Sequence, residues 1–348
     1  MEASVVKVKT CSGSTGASNS SMWSEFFLMG LTDDPQLQPQ LFVLFFFIYA
    51  FTVVGNLGLV ALIMVSPKLH TPMYYFLRNL SFLDFCYSSV TVPKMLMGFF
   101  SECQSISFSG CVMQNSFFLI FGVTEFFILA SMAYDRYVAV CNPLLYHITM
   151  SPRLCLKLVL ASYAVGLMNT VILTTTVFHL IFCKSRVITH YFCDILPLLK
   201  LSCSDTQIVQ FIIFACGGFN VSASLAVILV SYTYVFLAIF RIPSATGKHK
   251  TFSTCASHLT AVSLYYATTV FVYLRPSTEY SGSKGSLVSV FYTVVIPMLN
   301  PIIYSLRNKD PFTGEVVARD PKDKSYAHSL LSVSNSSDQM MDEFESSF

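Results

Sequence analysis

The chain has 348 residues, of which 54% are hydrophobic and 11% charged, and its formal net charge is +2. Soluble domains carry roughly 25% charged residues, so there is too little polar surface here to coat a water-soluble globule, and a lipid solvent is implied. The few charges are spread thinly and form no concentrated basic face, which sets nucleic acid aside as a partner.

Residues 1–40 hold no positively charged flank leading into an apolar core and a small-residue cleavage site, so no cleaved signal peptide is expected and this stretch reads as an external tail. Within it, Asn19-Ser20-Ser21 fits the N-glycosylation acceptor pattern, whereas the second match at Asn335 falls on the opposite side and should stay unmodified. Apolar runs follow at 41–65, 73–97, 112–134, 155–178, 208–240, 252–274 and 287–305. All are long enough for the ~20 helical residues that a ~30 Å hydrocarbon core demands, and 208–240 runs well beyond it. The expected fold is therefore an all-α membrane protein, a bundle of seven transmembrane helices over 41–308. The last stretch, 309–348, is rich in Ser, Asp, Glu and Lys and reads as a disordered tail.

An odd number of spans puts the termini on opposite sides. Lys68, Arg78, Arg136, Arg153, Lys157, Arg241, Lys248, Lys250, Arg307 and Lys309 outnumber Lys94, Lys184, Arg186, Lys200, Arg275 and Lys284, which favours an extracellular N-terminus and a cytoplasmic C-terminus. Of 11 cysteines, Cys111, Cys183, Cys193 and Cys203 fall at or between spans on the outer side, where disulfides are permitted and two bridges can form. A bond from Cys111 to the long loop after the fourth span would pin that loop across the mouth of the bundle. Cys11 and Cys103 are also external. The cysteines within or beneath the membrane read as small apolar side chains.

Two carboxylates, Asp84 and Glu125, lie near mid-bilayer, where ionisable groups are costly and by default functional. Like charges buried together cannot both ionise cheaply, so either a proton is held or a cation, such as Na+, sits between them. Asn56 and Asn300 complete that polar knot, although each acid could instead simply be protonated and hydrogen-bonded to a neighbouring helix. Asp135-Arg136-Tyr137 sets an acid beside a base at the inner end of the third span, inside the string MAYDRYVAVCNPLLY. Pro297 and Pro301 break the backbone ladder of the seventh span and mark a kink. There is no phosphate-binding glycine loop, HExxH pair or nucleophile motif, so an enzyme is the poorest reading. A secondary transporter using Asp84 and Glu125 as a relay is the rival class, but no internal repeat accompanies it.

Gly55-Asn56, HTPMYYFLRNLSFLD from His70, MAYDRYVAVCNPLLY from Met132, Ser231-Tyr232, KHKTFSTCASHL from Lys248 and PMLNPIIYSLRN from Pro297 occur in order, each on the fitting span. Together they resemble the odorant receptor branch of the rhodopsin-like G-protein-coupled receptors, over about Ser24 to Lys309. The resemblance implies a multi-pass protein of the cell membrane that binds a small volatile odorant and activates a heterotrimeric G protein of the stimulatory olfactory type, raising cyclic AMP. Membrane lipid and receptor-trafficking chaperones are the further partners it implies. It casts Asp135 as the latch that holds Arg136 at rest, and Tyr232, Asn300, Pro301 and Tyr304 as switches that accompany an outward swing of the sixth helix. It makes Asp84 and Glu125 the acidic pair of a sodium site, and it pairs Cys111 with Cys193 and Cys183 with Cys203.

Two departures stand out. The family's usual Phe-Tyr-Gly-Thr reads Tyr265-Tyr266-Ala267-Thr268, which is expected to add a hydroxyl and a methyl near the pocket floor. After Lys309 the usual basic amphipathic helix is replaced by an acidic, Ser-rich extension in which Pro311 blocks helix propagation. On the third span Asn115, Phe118, Leu119, Gly122 and Val123 follow the spacing of one helical face. With the resemblance, that face lines a ligand pocket completed by Cys216, Asn220, Tyr266, Thr269, Val270, Tyr273 and Tyr292. The wall is mostly apolar with a few amides and hydroxyls and no buried Lys or Arg, which favours a neutral alcohol, aldehyde, ketone or ester over an amine or carboxylate.

Overall fold

Several of the helices open on a proline or a capping side chain. The computed structural model describes residues 24–32, 34–101, 104–273 and 288–307. Asn19, Cys11, Cys103, Arg275, Lys284, Asn335 and the 309–348 tail with Pro311 lie outside the described residues. Helix α1 (Leu37–Val65) ends at Ser66-Pro67, and α2 (Pro72–Met97) starts with proline in its first turn, where the missing N–H costs nothing. Ser107 caps α3 (Phe108–Cys141) by accepting from the Gly110 amide at 3.1 Å, and Ser151 caps α4 (Pro152–Phe178) by accepting from the Leu154 amide. Helices α5 (Gln207–Arg241) and α6 (Ala245–Tyr273) follow. A π-turn over Phe291–Val295 leads into α7 (Ile296–Arg307). The widened turn lies directly before Pro297, whose ring and missing N–H prevent a regular ladder there. Helix thus occupies each of the seven apolar runs.

By length and composition α1, α3, α4 and α5 are each able to cross a membrane. Burial separates their roles: 67% of the apolar stretch of α3 is buried inside the bundle, against 17% for α1. Helix α3 is the central post, packed on α2, α4, α5 and α6, while α1 and the outer faces of α4 and α5 turn large side chains such as Val54, Leu167 and Phe240 outward. A bare apolar belt on this scale is stable only against lipid.

One end of the bundle is closed by a cap. Strand β1 (Glu25–Leu28) lies between β2 (Ser105–Ser107), to which it runs antiparallel, and β3 (Val187–Ile188), to which it runs parallel. Phe26 of β1 is fully buried against Phe108 and Phe182. Beneath the sheet, Cys111 at the start of α3 is bonded to Cys193 in the loop after α4, and Cys183 is bonded to Cys203 within that loop.

Helices α3 and α4 approach closely at Gly166. A Cβ on Gly166 would sit 2.8 Å from the Ile120 carbonyl oxygen, which is main chain and cannot step aside. Gly166→Val is therefore expected to lower stability by ~1–3 kcal/mol through overpacking, read as a reduced melting temperature in detergent. An unchanged melting temperature would show that the two helices separate freely.

Candidate functional site: a cavity, a carboxylate pair and an arginine along one helix

Near the capped end a cavity of about 90 Å³ opens between α3, α5, α6 and the start of the seventh segment, roofed by Ile195 of the loop after α4. Phe118, Leu119, Gly122, Val123, Asn220, Thr269 and Tyr292 line it. The rest of the expected wall lies elsewhere. Asn115 is buried and donates to the Cys193 carbonyl at 3.2 Å, so it holds the loop rather than facing the cavity. Tyr266 points its hydroxyl at Ser224, 2.6 Å away, and packs edge-on against Phe126. Cys216 is only half-buried at the margin of the core under the cap, Val270 is exposed on the outer face of α6, and the side chain of Tyr273 lies outside the described residues. Ala267 is exposed too, so the methyl in the altered motif does not reach the cavity, whereas Tyr265 does line it.

Sequence reasoning missed Tyr87, Phe126, Leu173, Ile195, Ile213, Gly217 and Val221 in this wall. On α5 a signal existed: Ile213, Gly217, Asn220 and Val221 share one face, and counting in fours from Ile213 rather than from Cys216 would have found it. Tyr87 and Phe118 stack with ring centres 4.9 Å apart, a contact between α2 and α3 that no local pattern announces.

The loop over the cavity is held by buried polar groups. The Cys193 amide donates to the Gln114 side chain at 3.0 Å, and Gln114 donates onward to the Val90 carbonyl. The Tyr191 hydroxyl meets Thr293 at 2.8 Å, and His190 meets the Ser289 hydroxyl at 3.0 Å with its ring stacked on Tyr191. Burial holds the His190 imidazole down at about 3, well below its ordinary 6.5.

About a turn below the cavity, Asp84 and Glu125 are both buried, and each lies within the electrostatic reach of the other. Asn300 donates its amide to both Asp84 oxygens, at 3.1 and 2.9 Å. Asn56 donates to the Thr52 and Pro297 carbonyls. The side-chain oxygens of Asn56 and Asn300 are buried without a hydrogen-bond partner. Two carboxylates with unpartnered amide oxygens nearby make an all-oxygen donor set, which fits a hard cation such as Na+. Tyr265 reaches this pair from above: its hydroxyl donates to the Gly122 carbonyl at 2.6 Å and touches the Glu125 carboxyl.

At the far end of α3 the expected latch takes a different form. Asp135 accepts a hydrogen bond from the Tyr146 hydroxyl at 2.8 Å rather than closing an ion pair with Arg136. Arg136 borders a small separate cavity with Met132, Thr254, Ser257, His258 and Tyr304. Tyr232 bonds His258 Nδ1 at 2.8 Å, and His258 Nε2 lies 3.1 Å from the Leu129 carbonyl. A carbonyl can only accept, so Nε2 carries the proton and Tyr232 donates. This clasp ties α3, α5 and α6 together, and His258, inside a quoted motif, went unremarked in the sequence. Tyr304 is buried with its hydroxyl unpartnered, and Tyr137 packs near Tyr134 and Tyr234. Pro301 lies beside Gly55, where the two helices approach.

The fold is that of rhodopsin: squid rhodopsin aligns with a TM-score of 0.59 and 16% identity over 79% of each chain. A family model described as "Olfactory receptor" matches residues 45–318. Mouse olfactory receptor 5T9 is 55% identical over 285 residues, covering 82% of this chain and 86% of the relative. Human olfactory receptor 8U9 is 51% identical over 292 residues, covering 84% and 94%. The class is a rhodopsin-fold receptor of the membrane, not an enzyme. Within that class, the chain belongs to the olfactory receptor family.

Two expectations follow. If Asp84 and Glu125 share a cation or proton, Asp84→Asn and Glu125→Gln should be non-additive in basal signalling, with a coupling of about 0.5–3 kcal/mol; strict additivity, together with no sodium dependence in the parent, would make them separate hydrogen-bonding groups. For His190, the folded value lies below the unfolded one, so the open loop takes the proton more readily. The stability it contributes is complete above the ordinary 6.5 and is lost as pH falls toward about 3. Melting of the purified receptor should drop between neutral pH and about pH 5, by roughly 2 kcal/mol. His190→Gln should flatten that slope.

Proposed function

We propose that this chain is an odorant receptor that takes a small, neutral, volatile molecule into the cavity beneath the loop and activates a stimulatory olfactory-type heterotrimeric G protein at the Arg136 end, raising cyclic AMP. The N-terminus faces outside and the C-terminus the cytoplasm, with seven membrane crossings. The observation that carries this reading is the arrangement along α3, where an almost wholly apolar cavity, the Asp84 and Glu125 pair and the Arg136 cavity follow one another on a single buried post.

A neutral ligand suits a wall without a cationic or anionic side chain, since an ion left unpaired there would pay its full desolvation cost. Glu125 lies just beyond that wall and is engaged with Tyr265 and Asp84 rather than with the cavity. Na+ held by Asp84 and Glu125, with the Asn300 oxygen beside them, would supply a charge that steadies the resting bundle. The Cys111–Cys193 bond and the Gln114 and Asn115 contacts keep the roof registered over the cavity. The Tyr232–His258–Leu129 clasp gives α6 a bond to break when it moves away from α3. Glycosylation at Asn19 and assistance from trafficking chaperones would bring the receptor to the surface.

The test is Arg136→Ala. Its side chain borders a cavity at a helix end and not the main apolar core, so surface expression should stay near the parent level while odorant-stimulated nucleotide exchange on the G protein is lost. Retained exchange would remove Arg136 from the coupling role. An odorant-driven ion flux with no exchange at all would point to a transporter instead.

A further inference from the structure

We infer that Gly217 sets the size limit of the ligand: the place where its side chain would stand is an open bay of the cavity, and it takes an apolar branch or ring of the odorant. This rests on the odorant reading above and names the residue of that cavity which decides ligand shape.

A glycine weakens a helix, because it favours the unfolded chain and offers no side chain to pack. Inside a helix the usual reason to keep one is the close approach of another segment. Gly166 on α4 is of that kind, with the main chain of Ile120 against it. Gly217 is not. It lies in the interior of α5, and a Cβ placed on it would meet no atom within 4 Å. Packing therefore gives no reason for the missing side chain.

The direction of the empty space follows from the phase of the helix. Ile213, Gly217, Asn220 and Ser224 recur at intervals of four, three and four residues, which places them on one face. Ile213, Asn220 and Ser224 are buried, so that face looks into the bundle. Gly217 lines the cavity together with Ile213 and Asn220. Gly218 is the next residue round the helix and shares its face with Phe211, Phe214, Ala215 and Ser222, all exposed. A Cβ on Gly218 would also meet nothing within 4 Å, but its open space lies on the outside of the bundle. Two neighbouring glycines with equal freedom thus point one into the cavity and one away from it.

Gly122 on α3 supplies the contrast within the wall. It too lines the cavity, but a Cβ there would lie 3.3 Å from the Tyr87 ring and 3.7 Å from the Tyr265 hydroxyl oxygen. Aromatic side chains already fill the place left by Gly122, whereas the place left by Gly217 stays empty. An empty place among carbon atoms forgoes dispersion contacts, and an apolar group that enters it restores them. The cavity wall is almost wholly apolar, so a methyl branch or a ring edge is the chemistry that fits.

The experiment uses the full-length receptor and its Gly217→Ala, Gly217→Val, Gly218→Ala and Gly218→Val variants. Melting in detergent without odorant comes first. Both alanine variants should melt no lower than the parent, since each adds a helix-favouring methyl to open space; a lowered melting temperature in Gly217→Ala would show the place occupied and overturn the inference. Cyclic AMP in transfected cells and thermal stabilisation are then read against neutral probes graded in bulk within each class: cyclopentanone, menthone and camphor; cyclopentanol, menthol and borneol; cyclopentyl, menthyl and bornyl acetates. The parent should favour a bulky member over the cyclopentyl member of at least one class. Gly217→Val should weaken that bulky probe by roughly 10- to 200-fold, while Gly218→Val responds like the parent. A parent that favours the cyclopentyl member in every class overturns the inference and leaves the odorant reading standing. So does a Gly217→Val response to the bulky probe that matches that of Gly218→Val at equal surface levels. Silence of the parent to every probe in both readouts overturns the odorant reading of this cavity itself. Should Gly217→Val fail to reach the surface, Gly217→Ala against Gly218→Ala carries the same comparison.

Discussion

Lipid supplies no hydrogen-bond partners, and that constraint organises the interior of this protein. Inside a bilayer a polar side chain must find its partner on another part of the chain or remain unsatisfied at a cost of several kcal/mol. The bundle answers by spending its polar residues in pairs that cross between helices. Asn169 on α4 clasps Asn220 on α5, and Tyr266 on α6 reaches Ser224 on α5. Asn300 on α7 grips Asp84 on α2, and His258 on α6 joins Tyr232 on α5 to the main chain of α3. These contacts specify which helix faces which, something apolar packing against equally apolar lipid cannot do alone. Several buried atoms left without partners, including the Asn56 and Asn300 oxygens and the Tyr304 hydroxyl, fall at the two places where a cation or a moving helix is invoked.

Helix α3 turns these separate clasps into one device. Its first turns hold the cap through Cys111, Gln114 and Asn115, its middle forms the cavity wall and carries Glu125, and its far end presents Asp135 and Arg136. The stretch from Asn115 to Arg136 spans about 30 Å at 1.5 Å per residue. Because the helix is mostly buried, a change at the cavity is felt by neighbours packed on every side of it. Tyr265 lines the cavity and touches Glu125 with the same side chain. Asp135 bound to Tyr146 leaves Arg136 facing the inner cavity rather than an ion pair, and His258 bonds α6 to the main chain of α3.

Much of this was legible in the sequence, because the bilayer imposes its dimension on any helix that crosses it. Apolar length located each of the long helices among the described residues. Two acids in otherwise apolar runs announced a polar knot before any geometry was known. The face of α3 from Phe118 to Val123 was readable from helical periodicity alone. The sequence thus determined the class of solvent, the helices and their approximate order, and the family, since these follow from local composition and from motifs a few residues long. Only the tertiary structure decided which faces meet. The rotation of α5 that brings Ile213 and Gly217 rather than Cys216 to the cavity and the outward turn of Val270 and Ala267 depend on contacts between segments far apart in the chain. In lipid an apolar face carries no mark of whether it meets a helix, a ligand or the bilayer, so periodicity reveals that a face exists while packing alone settles what it touches.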